Sequence, residues 1–91
     1  MPTVFIPAAL RPMAHGQDSV TLDGATVREL VAALDLRYPG MKAKLCQGDT
    51  LRPGLAVIID AQLARGGLGA DVPENSEVHF IPAIAGGEPY S

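Results

Sequence analysis

The spacing of apolar positions shifts along the chain, and each shift marks an element. Thr3 to Ile6 is β-branched or aromatic and predicts a first strand stopped by Pro7. Ala8 to Gln17, punctuated by Pro12 and Gly16, reads as a turn region. Ser19-Val20-Thr21-Leu22 alternates polar and apolar, as a returning strand does, and Asp23-Gly24 then signals a turn. The period next lengthens. Val27, Leu30, Val31, Leu34 and Tyr38 recur at i, i+3, i+4, i+7 and i+11, which is one continuous helical face. Thr26 and Glu29 have the spacing of a capping box. The threonine hydroxyl can accept from the third helical N–H, and the glutamate can reach back to the Thr26 N–H. A helix is expected from Val27 to Tyr38, ended by Pro39-Gly40.

Met41 to Gly54 mixes polar residues with Gly48, Pro53 and Gly54 and reads mainly as connection, with Leu45 and Leu51 as candidates for the core. Ala56 to Ile59 predicts a third long strand ending at Asp60. Gly66-Gly67 and Gly69 mark an irregular stretch, and Glu77 to Ile81 predicts a last strand before Pro82. This order gives an α+β domain, with one main helix across one face of a mixed four- to five-stranded sheet. The β-grasp, or ubiquitin-like, arrangement is the simplest fold that fits. A sheet covered on one side should be polar at every other position, yet Val57-Ile58-Ile59 and Val78, Phe80, Ile81 place apolar residues on both faces. With Val78 and Phe80 inward, His79 and Ile81 point outward. Ile81 beside the outward residues of the third strand would then form an apolar patch of the kind that marks a partner site.

Composition limits what such a domain can do. Ninety-one residues make one domain, which removes only about 60 % of its unfolded surface from water. Phe5, Phe80, Tyr38 and Tyr90 are its aromatic residues, so Val, Leu, Ile and Ala must build the core. Seven basic against ten acidic residues give a net charge of −3, without the basic stripe or stacking aromatics that nucleic acid requires. No stretch approaches the roughly 20 apolar residues of a membrane span, and the opening residues lack the pattern of a signal peptide. The single cysteine, Cys46, reads as a small core residue and fits a cytoplasmic location. His15 falls in a turn and His79 on a strand, and Gly66-Gly67-Leu68-Gly69 lacks the Lys-Ser or Lys-Thr that completes a phosphate loop. An independent enzyme, or a bound cofactor or metal, is therefore not expected.

After the last strand the chain continues Pro82-Ala83-Ile84-Ala85-Gly86-Gly87. This closely resembles the tail of the bacterial β-grasp sulfur carriers, which include the thiamine-pathway carrier and the small subunit of molybdopterin synthase. Gly24 to Leu30 is similar to that family's helix start, Ala56 to Asp60 through Arg65 to its central strand and turn, and Glu77 to Pro82 to its last strand. The resemblance covers residues 3 to 87. Thr3 to Pro7, Leu10-Arg11-Pro12, Gly16-Gln17, Ser19-Val20 and Tyr38-Pro39-Gly40 are similar to the branch that delivers sulfur for cysteine formation in actinobacteria.

The resemblance implies that an adenylating, E1-like partner uses ATP to activate the Gly87 carboxylate, and that a sulfur donor then displaces AMP to leave a C-terminal thiocarboxylate. Ala85, Gly86 and Gly87 present almost no side chain and could thread a narrow channel in that partner. Ile81 and Ile84 would form its docking patch. A sulfur-accepting synthase would follow, a PLP-dependent enzyme being one candidate. The chain departs from the simple pattern in Glu88-Pro89-Tyr90-Ser91, which places Gly87 in a peptide bond. The resemblance extends to relatives whose short extension is removed by a zinc-dependent JAMM-type protease. This implies a carrier domain of residues 1–87 and a removable segment 88–91, cleaved between Gly87 and Glu88. Four other destinations suit the same residues. One is a carrier for a thiocarboxylate natural product or siderophore, which the extension favours alongside cysteine formation. The others are a carrier for molybdopterin or thiamine synthesis, a modifier conjugated to lysines, and a β-grasp interaction module in which Gly86-Gly87 has no role.

Overall fold

Strand β1 (Thr3–Phe5) pairs antiparallel with β2 (Ser19–Thr21), so the opening hairpin forms as its alternation predicts. The structure, a computed structural model, describes residues 1–82. The sheet is completed by β5 (Leu55–Ile59), β6 (Gln62–Leu63) and β7 (Glu77–Pro82) in the order β2-β1-β7-β5-β6. The last strand lies in the middle of this five-stranded sheet, parallel to β1 and antiparallel to β5. A parallel neighbour requires a crossover, and the chain between β1 and β7 supplies it.

Helix α1 (Val27–Arg37) crosses one face of the sheet. Thr26 caps it, its hydroxyl accepting from the Glu29 N–H at 3.2 Å. Glu29 reaches back one residue further than the sequence suggests: its Oε1 accepts from the Ala25 N–H at 2.7 Å, not from Thr26. The Thr26 N–H sits in an isolated bridge region with Asp71, where Val27 N–H and Val72 N–H bond to the Ala70 and Ala25 carbonyls. This ties the helix start to the segment carrying Leu68 and Val72, both buried. Such a cap contributes about 1 kcal/mol. Tyr38 stands just outside the helix as its C-cap.

The core lies between α1 and the inner face of the sheet. Val27, Leu30, Val31 and Leu34 meet Val4, Val57, Val78 and Phe80, and each fully buried aliphatic side chain contributes about 1.5–3 kcal/mol. Gly24 allows the close approach at the helix start, because a Cβ there would lie 2.9 Å from Leu30 Cδ2.

Three stretches depart from expectation. Ala8–Ala14 is a 3-10 helix rather than an open turn. Pro12 is tolerated inside it, and its last residue, Ala14, is buried. Met41–Gly54 is not mainly connection. It holds α2 (Met41–Leu45), with Met41 and Leu45 in the core, and a small hairpin of β3 (Cys46–Gln47) and β4 (Thr50–Leu51). Asp35 joins the two helices by accepting from the Gly40 and Lys42 N–H groups, and Gly40 takes φ +97° at the corner. Finally, β7 runs through Pro82 rather than stopping before it, with Pro82 opposite Leu55 at the end of the ladder.

Candidate functional site

Alternation along β7 sorts its side chains between two surfaces. Val78 and Phe80 are 0 % and 2 % exposed beneath α1, while Ile81 on the opposite face is 40 % exposed. The register sets Ile81 opposite Ala56 and His79 opposite Ile58 on β5, with His79 opposite Phe5 on β1. The open face therefore carries Phe5, Ile58, Ile81 and, from the edge strand, Leu63, which pairs with Ile58 and is 53 % exposed. The outward apolar patch expected around Ile81 is present. Ile84, its expected companion, lies outside the described residues.

At the centre of this face the Phe5 and His79 rings stack with centroids 4.1 Å apart and planes 2° from parallel. Glu77 Oε1 is 3.9 Å from His79 Nε2, a contact that gains charge only when the imidazole is protonated. The stack depends on parallel pairing between residues 74 positions apart, so nothing in the local sequence discloses it.

Where β1 and β7 end and β5 begins, the face runs into a groove of about 720 Å³. Its walls come from Phe5–Arg11, Lys44-Leu45, Arg52–Leu55 and His79–Pro82. Pro82, the point from which the tail departs, is therefore part of the groove wall. The wall is largely aliphatic and carries three cations, Arg11, Lys44 and Arg52, without a carboxylate. Arg11 Nε donates to the Ile6 carbonyl at 3.2 Å and Arg52 Nε to the Ala43 carbonyl at 3.1 Å. Among the described residues neither guanidinium pairs with an acid. Sequence reasoning missed this groove because four separate segments assemble it.

Ala85, Gly86, Gly87 and Glu88, the residues on which the expected tail chemistry falls, lie outside the described residues. The remaining candidates have structural roles. Cys46 is buried in the core, and that burial pushes its thiol pKa up, against the opposing pull of Lys42 and Arg28. His15 closes the 3-10 helix Ala8–Ala14 in the left-handed conformation, and its ring centroid lies 5.8 Å from that of Tyr38. Among the described residues no three His, Cys, Asp or Glu side chains form a metal-binding group, and no helix is long and apolar enough to cross a membrane.

One further polar site fixes the far end of β7. Asp60 and Ala61 both take positive φ, 50° and 69°, as the two central residues of the β5–β6 hairpin. Asp60 Oδ1 accepts from the Glu77 N–H at 2.9 Å. That bond holds the carboxyl below the usual carboxylate range, with a smaller contribution from Ser76. The buried Ser76 hydroxyl makes no hydrogen bond that meets full geometric criteria, so the Glu77 N–H is the principal partner of Asp60.

Comparison with known proteins agrees with this architecture over nearly the whole chain. Residues 4–87 match the ThiS family. The sulfur carrier protein CysO of Mycobacterium tuberculosis is 33 % identical over 92 residues, spanning 93 % of this chain and 97 % of the relative. A crystal structure of CysO from that organism matches with a TM-score of 0.85 and 28 % identity, over 92 % of this chain and 100 % of the other. A chain in the crystal structure of the Amycolatopsis orientalis BexX/CysO complex matches with a TM-score of 0.87 and 36 % identity, over 96 % and 100 %. The small archaeal modifier protein 1 of Methanosarcina acetivorans matches with a TM-score of 0.76 and 25 % identity, over 94 % and 95 %.

Proposed function

The chain belongs to the ThiS family of ubiquitin-like β-grasp proteins, and from that premise we propose that it is a sulfur carrier made as a precursor and activated at Gly87. It is a carrier on which partner enzymes act, not an enzyme. The observation that carries the precursor reading is the limit of the family match. It runs to residue 87, the second glycine of Gly86-Gly87, and leaves Glu88 to Ser91 beyond it.

In this reading a JAMM-type zinc protease adds water across the Gly87–Glu88 peptide bond, releasing Glu88 as an amine and freeing the Gly87 carboxylate. An adenylating partner then joins that carboxylate to the α-phosphate of ATP and releases pyrophosphate. A sulfide-level nucleophile attacks the carbonyl carbon, AMP leaves, and a thiocarboxylate remains. That group is anionic at neutral pH and carries a soft, nucleophilic sulfur for a synthase of sulfur metabolism. The likeness to CysO favours cysteine formation as the destination, with a PLP-dependent synthase as acceptor and the cytoplasm as the setting.

The fold suits this use. Pro82 to Gly87 spans at most about 20 Å when extended, so the reactive carbon can enter a buried site while the folded body stays outside. Ile81, beside Ala56 and near the Phe5–His79 stack, offers the partner an apolar surface close to the root of the tail. Ile84 follows it by three positions in the sequence.

Mass spectrometry of the protein from its own cells tests the proposal. The expected species ends at Gly87, and a fraction of it carries sulfur in place of one carboxylate oxygen. An intact 91-residue chain that still donates sulfur would refute the precursor reading. Accumulation of lysine conjugates instead would assign it to the modifiers, which the likeness to small archaeal modifier protein 1 keeps as the second reading.

A further inference from the structure

The groove beside Pro82 gathers three of the seven basic residues of a chain whose net charge is −3, and its wall holds no acid. An apolar trough edged by cations, with its guanidinium groups anchored through Nε and lacking carboxylate partners among the described residues, is complementary to a short anionic segment with an apolar anchor.

We propose that this groove receives the chain's own Glu88-Pro89-Tyr90, so that the uncleaved precursor holds its extension against the body. The inference deepens the precursor reading above and rests on it. Three observations favour this occupant. The tail is rooted in the groove wall at Pro82, and the chain from Pro82 to Glu88 can reach at most about 20 Å. Tethering at that range gives an effective concentration on the order of millimolar, which favours the tail over a free competitor. Second, Glu88 is the only acid after Glu77, and Tyr90 is one of four aromatic residues in the chain. They supply the negative charge that the groove lacks and an apolar ring to lie against its aliphatic wall. Third, Gly86-Gly87 precedes them, and glycine adopts the positive φ of a reversal without steric penalty.

Docking would keep the Gly87–Glu88 bond close to the body, and cleavage would release the acidic segment and expose the three cations together. The groove would then be free in the carrier and filled in the precursor. A partner that engages the cations could in this way distinguish the two forms.

The test compares ¹⁵N–¹H spectra of the full chain with those of a chain ending at Gly87, without any partner. The expected result is displaced signals at the Ala8, Ala9 and Gly54 amides and at Arg11 Nε in the full chain. Glu88→Gln and Tyr90→Ala should each move them toward the truncated positions, as should high salt. Lys44→Glu should do the same. Its side chain makes no hydrogen bond among the described residues, so it serves if Arg52→Glu fails to fold. Differences confined to residues after Phe80 would overturn the proposal, as would signals indifferent to Lys44→Glu. Displacements that vanish on dilution would also overturn it, by assigning the groove to a second copy. A silent groove leaves the carrier reading intact, because that reading is tested by the mass of the cellular protein.

Discussion

Val78 and Phe80 are sealed beneath α1, while His79 and Ile81, their neighbours on the same six-residue strand, face outward beside Ile58 and Ala56. Both faces of β7 carry apolar side chains, more on the inner than the outer, and they have opposite uses. On the inner face, apolar area is removed from water and stabilises the fold. On the outer face it remains partly in water and is available to a partner. The difference arises from the period of two along a strand together with the single helix above the sheet. The hydrophobicity of Ile81 alone does not reveal which face it takes.

The largest effect should come from the inner face. Phe80→Ala is expected to cost about 3–5 kcal/mol, a large share of the stability of so small a domain, read as a fall in the denaturation midpoint. Ile81→Asp should change stability by no more than about 0.5 kcal/mol. The same change should weaken binding to an adenylating partner by about tenfold or more, equivalent to roughly 1.4 kcal/mol, measured by calorimetry. Equal losses of stability from both variants would erase the contrast between the faces.

A smaller effect sharpens the contrast at the far end of the strand. The Asp60 carboxyl is held low by the Glu77 N–H, so its contribution to stability is present above the unfolded carboxylate value and is lost as pH falls through the lower folded value. Asp60→Asn retains an acceptor and does not titrate. It should therefore lose less stability than the native chain as pH falls below about 4, seen as converging melting temperatures. Parallel curves would show that the bond to Glu77 does not discriminate the charged carboxylate.

The sequence disclosed elements whose patterns are long or chemically marked. Helix α1 was legible from its five-residue apolar face and from the Thr26-x-x-Glu29 spacing, and β7 from an alternation long enough to assign both faces. The elements it hid are short. Helix α2 has five residues, too few for a period to register, although Met41 and Leu45 at i and i+4 mark its buried side. β3, β4 and β6 have two residues each, and tertiary pairing rather than local preference makes them strands. At the candidate site the outward position of Ile81 was readable. The Phe5–His79 stack was not, because only the parallel register of β1 and β7 brings the rings together. The groove was hidden for the same reason, since its cations at positions 11, 44 and 52 are far apart in the chain.

The central position of β7 has a mechanical consequence. The strand leads directly into the tail and is bonded on one side to β1 and on the other to β5. Tension applied along the tail acts parallel to the strand and across its hydrogen bonds, so both ladders are loaded in shear and share the force. An edge strand such as β6 could be peeled away one bond at a time. A body built in this way can be drawn tail-first against a narrow opening without unravelling from the point at which it is pulled.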